Sequence, residues 1–217
     1  MNIIYLLFHG LSPYSGISKK ILHQVKGFEA CGHRVSLCTY SIADNGHRVR
    51  MINNEIIEDY GTGKPAAAKR RVSYQCIYRY AITHQVELIY VRSFHNANPF
   101  TIRLFSKLRK AGIKIVMEIP TYPYDSEYAG FPLVTRLGIQ VDKVFRKTLA
   151  KHVNAIVTFS DYHCIFGQRT IQISNGVDFD SIPLKKTVSK NTSVIHLLGV
   201  AEVHYWHGYD RLIDGLG

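Results

Sequence analysis

Four short segments concentrate the side chains able to do chemistry, and each follows a run that reads as a strand. The first is His9-Gly10-Leu11-Ser12-Pro13-Tyr14-Ser15-Gly16, leading into a helix whose first turn carries Ser18, Lys19 and Lys20. A glycine such as Gly16 at a helix N-terminus allows close backbone approach, and the free N–H groups with the helix dipole favour a phosphate. An ordinary loop is the alternative reading. Neither G-x-G-x-x-G nor a Walker sequence occurs, which argues against a dinucleotide dehydrogenase or a P-loop NTPase.

The second segment, Val91-Arg92-Ser93-Phe94-His95-Asn96-Ala97-Asn98-Pro99, stands between a strand end and a helix start. His95 is a candidate hydrogen-bonding contact to a ligand, and Asn98 before Pro99 reads as a helix cap. The third runs Glu118-Ile119-Pro120-Thr121-Tyr122-Pro123-Tyr124-Asp125-Ser126-Glu127-Tyr128. A carboxylate at Glu118, inside an otherwise buried strand, must be paired or functional. Its neighbouring tyrosines suit a sugar, with ring faces stacked on aromatics and hydroxyls bonded to a carboxylate; a structural glutamate capping the loop is the rival. The fourth, Ser174-Asn175-Gly176-Val177-Asp178, permits a sharp turn after the last strand.

The elements that must position these segments alternate along the chain. Residues 3–8 form a strand, and Ile17, Ile21, Val25 and Phe28 recur at helical spacing towards Gly32, a C-cap glycine. Residues 34–40 form the next strand, completing a βαβ unit. Asn45-Gly46 signals a hairpin to 49–52. Residues 60–71 read as an exposed, mobile loop. Helices are expected over 72–84, 99–111 and 133–151, the last with Val134, Leu137, Val141, Val144 and Phe145 on one face. Strands are expected at 87–91, 114–119, 155–159 and 170–174. Strands separated by helices predict an α/β fold, a Rossmann-like, mostly parallel sheet with helices on both faces.

Composition agrees with a globular chain: 46% hydrophobic and 20% charged residues over 217 positions place it away from disordered sequences. Lys and Arg number 27 against 16 Asp and Glu, a net charge of +11, which calls for an anionic partner. No apolar run reaches the roughly 18 residues of a membrane span. The N-terminal run has no basic residue before it and reads as a buried strand rather than a signal peptide. Cys31, Cys38, Cys76 and Cys164 form no C-x-x-C pair, which points to core filler in a reducing, cytoplasmic setting. Residues 179–192 are polar and basic, as a linker is. An apolar strand at 193–200 and a helix near Tyr209 follow, the opening βα unit of a second domain.

The loop after the first strand, EIPTYPYDSE at 118–127, ISNGVDFD at 173–180 and WHGYDRLIDGL at 206–216 resemble family 4 of the retaining glycosyltransferases, above all bacterial members that build surface polysaccharides. That resemblance implies the GT-B architecture, of which residues 1–178 would be the N-terminal, acceptor-side half, 179–192 the linker, and 193–217 the start of the nucleotide-sugar domain. It implies that Gly16 approaches the donor diphosphate and that Glu118, Thr121 and Tyr122 stand near the reacting sugar, with Glu118 the candidate catalytic group. It places Asn175 at the interdomain edge, and it implies neither metal nor cofactor. The family's V-G-R-x-x-x-x-K-G pattern is altered here: Glu202 stands for the Arg and His207 for the Lys that neutralise the diphosphate. The family's glutamate pair would lie beyond Gly217, so the 217 residues alone are expected to be inactive. The implied partners are a nucleotide sugar and a glycan or lipid-linked acceptor; the basic helix faces around 103–114 and 143–152 suit an anionic membrane face, and the bare strand at 194–200 is expected either to pair with a second copy through 193–217 or to be poorly ordered. Nucleic acid is not expected, because the basic residues are spread over several helix faces. The rival functions are a non-enzymatic α/β module binding an anionic polymer or membrane, and another GT-B enzyme such as a nucleotide-sugar epimerase.

Overall fold

A computed structural model of the chain describes residues 1–93, 95–125, 133–176, 178, 197–199 and 208–216. It divides into two compact units, Met1–Val177 and Asp178–Gly217.

The first unit is a Rossmann-like α/β layer structure. Its elements run β1 Asn2–Leu6, α1 Gly16–Ala30, β2 Arg34–Ile42, β3 Arg48–Ile52, β4 Glu55–Asp59, α2 Gly63–Val72 and α3 Gln75–Thr83. Then come β5 Leu88–Arg92, α4 Pro99–Lys110, β6 Lys114–Ile119, α5 Leu133–Ala150, β7 Ala155–Thr158, β8 Cys164–Ile165 and β9 Gln168–Gln172. The strand order among the described residues is β4-β3-β2-β1-β5-β6-β7-β9-β8. Pairs β2–β1–β5–β6–β7–β9 are parallel, while β2–β3, β3–β4 and β8–β9 are antiparallel. From β1 the chain turns first to β2 on one side and later to β5 on the other. The crevice beyond β1 and β5 is therefore the topological switch point, where open α/β sheets bind ligands.

Strands β1, β5 and β7 are buried almost throughout, as parallel strands covered on both faces must be. Gly32 ends α1 at φ +79. Asn98 caps α4: its side-chain oxygen accepts from the backbone N–H of Phe100 (2.9 Å) and Thr101 (3.1 Å), and the Thr101 hydroxyl accepts from Asn98 N–H. Cys38 and Cys76 are buried as core filler, whereas Cys31 and Cys164 are exposed.

Four expectations require correction. Residues 60–71 are not a loop, because Gly63–Val72 is helical. Alanines and basic residues are strong helix formers, Pro65 is tolerated in a first turn, and Ala66 supplies the buried contact. The helix expected over 72–84 begins only at Gln75, after an extended Ser73. Two hairpins were not foreseen, at Asn53-Asn54 (φ +48 and +71) and at Phe166-Gly167 (φ +53 and +81). Both are two-residue turns with left-handed backbone at each position.

The fourth concerns α5, most of whose expected apolar face points outward: Leu137 is 66% exposed, Val141 45% and Val144 70%, whereas Phe145 packs against the core as expected. Ile139, Asp142, Leu149 and Ala150 face inward instead. Polar contacts set this rotation. The Asp142 carboxylate accepts from Ala97 N–H at 2.9 Å and from the Tyr124 hydroxyl at 3.0 Å. Arg146 donates to both oxygens of Asp125.

In the second unit, Tyr209–Asp214 forms α6 as expected, entered through Gly208 at φ +67. Residues 197–199 carry no strand assignment, and the rest of the expected strand and the linker lie outside the described residues, as does much of the segment expected to mediate a dimer. No helix among the described residues is long and apolar enough to cross a membrane.

Candidate functional site

The carboxyl ends of β1, β5 and β6 open onto a cavity of about 670 Å3. The loop from β1 forms one wall. Gly10 is required there: a Cβ on it would stand 2.8 Å from the backbone oxygen of Tyr40. Gly10→Ala is therefore expected to cost about 1–3 kcal/mol of stability, as overpacking does, measurable by urea unfolding. Beyond Gly10 the Ser18 hydroxyl accepts from Ser12 N–H at 2.9 Å, and the Ser15 hydroxyl caps α1 by accepting from Ser18 N–H. These bonds aim the N-terminus of α1 at the cavity, which Ser15, Gly16 and Ile17 line. The positive end of the helix dipole thus faces the space.

The floor is a buried polar network. Arg92 and Glu118 are direct register partners on β5 and β6, and the Arg92 guanidinium donates to the Glu118 carboxylate. The Tyr90 hydroxyl (2.7 Å) and Gln24 amide (2.9 Å) donate to the same carboxylate, and the Tyr5 hydroxyl donates to Gln24 at 2.6 Å. Burial, reinforced by the Glu118 charge, raises the Tyr5 and Tyr90 phenols, so both stay protonated donors. Arg92 lines the cavity, whereas Glu118 is fully enclosed at 0% exposure.

On the opposite wall, Lys20 Nζ donates to Asn175 Oδ1 at 2.7 Å and sits 3.4 Å from the centre of the Phe159 ring. His95 holds a left-handed backbone at φ +49, and its ring lies 4.5 Å from that of Tyr124. Burial lowers the His95 imidazole, with Asp142 and Asp125 pulling it up and Arg146 pulling it down. His9 is lowered for the same first reason, burial. Both rings are thus neutral near pH 7, available to accept as well as donate.

A histidine whose folded-state pKa lies below its unfolded value carries no penalty while both states are neutral. Its contribution to stability is therefore intact above about pH 6.5 and is lost as pH falls through the folded value. Stability is expected to drop between about pH 7.5 and 5.5, and the drop should shrink in His95→Asn, since asparagine accepts a left-handed backbone. Urea midpoints at the two pH values check this; an unchanged slope in His95→Asn would assign the pH dependence elsewhere.

Of the residues singled out in the sequence, Gly16, His95, Thr121 and Asn175 share this cavity. Glu118, the catalytic candidate, is not among the residues that line it; it is enclosed beneath Arg92, whose guanidinium donates to it. Tyr122 turns away into an aromatic cluster, edge-on to Tyr162 (4.9 Å) and Phe166 (5.5 Å), and Tyr124 takes the wall position instead. His207 lies outside the described residues. Arg92 stood in a quoted segment with no role of its own, Lys20 counted only as part of the first turn of α1, and Tyr124 as one of three tyrosines suited to a sugar. The signal for Arg92 was a charged residue at the end of an otherwise apolar strand, the mirror of Glu118. Among the described residues the cavity is lined by Lys20, Arg92 and a helix N-terminus and by no carboxylate, an arrangement that favours an anion and negative charge as it develops. Compared with known proteins, the chain matches no family model, and no curated protein matches it.

Proposed function

We propose that this unit is the acceptor-side half of a retaining, metal-independent glycosyltransferase of the GT-B type. The complete enzyme moves a sugar from a nucleotide diphosphate to a glycan or lipid-linked acceptor in surface polysaccharide synthesis. The observation that supports it most is the cationic cavity at the switch point of the sheet, which among the described residues no carboxylate lines. In this reading the α1 N-terminus and Lys20 face the departing diphosphate and offset its charge as the glycosidic bond breaks. Thr121 and Tyr124 form the wall along which the acceptor is aligned, and Arg92, held by Glu118, keeps the floor cationic. The nucleotide is held by a second lobe that opens at residues 193–217.

The outward face of α5 supports a peripheral contact with an anionic membrane carrying the acceptor. Leu137 and Val144 project there beside the exposed cations Arg136, Lys147 and Lys151, and the helix's acidic residue, Asp142, is buried. Basic amphipathic faces of this kind bind acidic lipid.

The test is a transfer assay on the protein encoded by the whole reading frame, with labelled nucleotide sugars and lipid-extract acceptors. Product with the donor's anomeric configuration retained, and release of the nucleoside diphosphate, is the expected result. Interconversion of the nucleotide sugar without transfer would favour the epimerase reading. Absence of both, with polyanion binding that weakens steeply with salt, would favour the non-enzymatic module.

A further inference from the structure

A second cavity, of about 480 Å3, lies on the other side of His95, between β3, α2 and α5. Among the described residues its charged lining is Arg50, Arg70 and Arg71, and no carboxylate lines it. Arg50 is the anomaly. It is 1% exposed on β3, the strand next to the sheet edge, where a buried charge is expensive unless it is paired. One guanidinium nitrogen donates to the Leu7 carbonyl at 2.7 Å, but Nε has no partner. Burial pushes the neighbouring Cys38 thiol up to about 12 and raises Cys76 and Tyr60 too, and Glu58, its register partner on β4, pairs with Arg79.

Arg70 repeats the pattern. Its Nε is buried without a partner while its guanidinium stacks 4.0 Å from the centre of the Tyr40 ring. None of the three arginines enters an ion pair among the described residues. Three clustered guanidinium groups repel one another unless a multiply charged anion joins them. Such forks match phosphate oxygens in pairs, which single ammonium groups do not.

We propose that this cavity is a phosphoryl-binding subsite in which Arg50, Arg70 and Arg71 hold the phosphate of an organic phosphate, the acceptor of the reaction. The volume accommodates a sugar with its phosphate, and Asn96, Asn98 and Thr135 supply polar groups for the organic part. His95 lines both cavities. An acceptor anchored by its phosphate in the arginine cavity therefore directs its hydroxyls past His95 toward the anion-binding space beside α1. Only the word acceptor rests on the transferase reading; the phosphate site stands on the arginines.

Calorimetric titration of the 217-residue chain at fixed ionic strength tests this, with a hexose phosphate, inorganic phosphate and the neutral hexose as probes. The hexose phosphate is expected to bind, inorganic phosphate more weakly, and the neutral hexose not measurably. Because replacing buried Arg50 endangers folding, Arg70→Gln with Arg71→Gln on the more accessible α2 carries the comparison. Each lost charge-assisted bond is expected to weaken binding about tenfold or more. Lys114→Gln, which removes an exposed cation at the amino end of β6, should leave the affinity unchanged. Equal binding by the double variant, an equal loss in Lys114→Gln, inorganic phosphate binding as tightly as the hexose phosphate, or no phosphate binding at all would each overturn the proposal. Since no transfer is measured, failure here is distinct from failure of the transferase reading.

Discussion

Glu118→Gln is expected to lower the unfolding free energy by about 3–5 kcal/mol, the cost of stranding one member of a buried ion pair. Both partners are enclosed: the Glu118 side chain is 0% exposed and that of Arg92 7%. Three donors from two elements converge on this carboxylate: Arg92 and Tyr90 from β5, and Gln24 from α1. Glutamine cannot accept all three, and its amide would direct N–H groups at Arg92 or Tyr90. The Arg92 charge, only 7% exposed, would lose the carboxylate that compensates its burial. Replacing both partners, Arg92→Met with Glu118→Leu, should recover much of the loss, because the uncompensated charge disappears with its partner. Urea unfolding of the single and double variants provides the cycle. A loss below about 1 kcal/mol in Glu118→Gln would show that water reaches the pair, and Glu118 would return as a candidate for direct contact with substrate.

The same pair shows which features of the molecule were legible in its sequence. Period and punctuation sufficed for the parallel core: β1, β5, β6 and β7 fall within two residues of the expected spans, because buried strands are continuous apolar runs bounded by turns. Asn98 and Gly32 were legible for the same local reason, since a cap needs only its own few residues. Where tertiary contacts decide, reading failed. The apolar stripe of α5 obeys helical period, yet Asp142 and Arg146 fix the helix with Leu137 and Val144 outward. A moment counts side chains and cannot count hydrogen bonds to another element. Glu118 was legible as a carboxylate needing a partner, but its partner is 26 residues away and identifiable only through the register of two strands. The Asn53-Asn54 and Phe166-Gly167 turns escaped because left-handed pairs without Asn-Gly or Asp-Gly carry a weaker signal.

Gly16→Asp is expected to reduce sugar transfer by the whole enzyme roughly 10²- to 10³-fold while leaving stability unchanged or slightly raised. The two effects have opposite signs for separate physical reasons. As a helix residue, Gly16 is a poor choice: α1 opens with no acidic residue in its first turn, and glycine is weaker than other residues in a helix. A Cβ there would meet nothing within 4 Å, so the added side chain causes no clash. A carboxylate at this position also interacts favourably with the helix dipole, by about 0.3–1 kcal/mol. A helix start that forgoes these available gains, at the mouth of a cationic cavity, is what the proposed diphosphate site would require. An aspartate there occupies the diphosphate's place and opposes its charge. Two like charges about 4 Å apart cost roughly 4 kcal/mol at an effective dielectric near 20, or close to three decades in rate. Gly16→Asn, similar in size but neutral, should keep most of the activity. Transfer rates and urea midpoints measured on the three proteins separate charge from bulk. If Gly16→Asp transfers sugar normally, the α1 N-terminus does not face the diphosphate, and Lys20 with Arg92 must bind it without the helix.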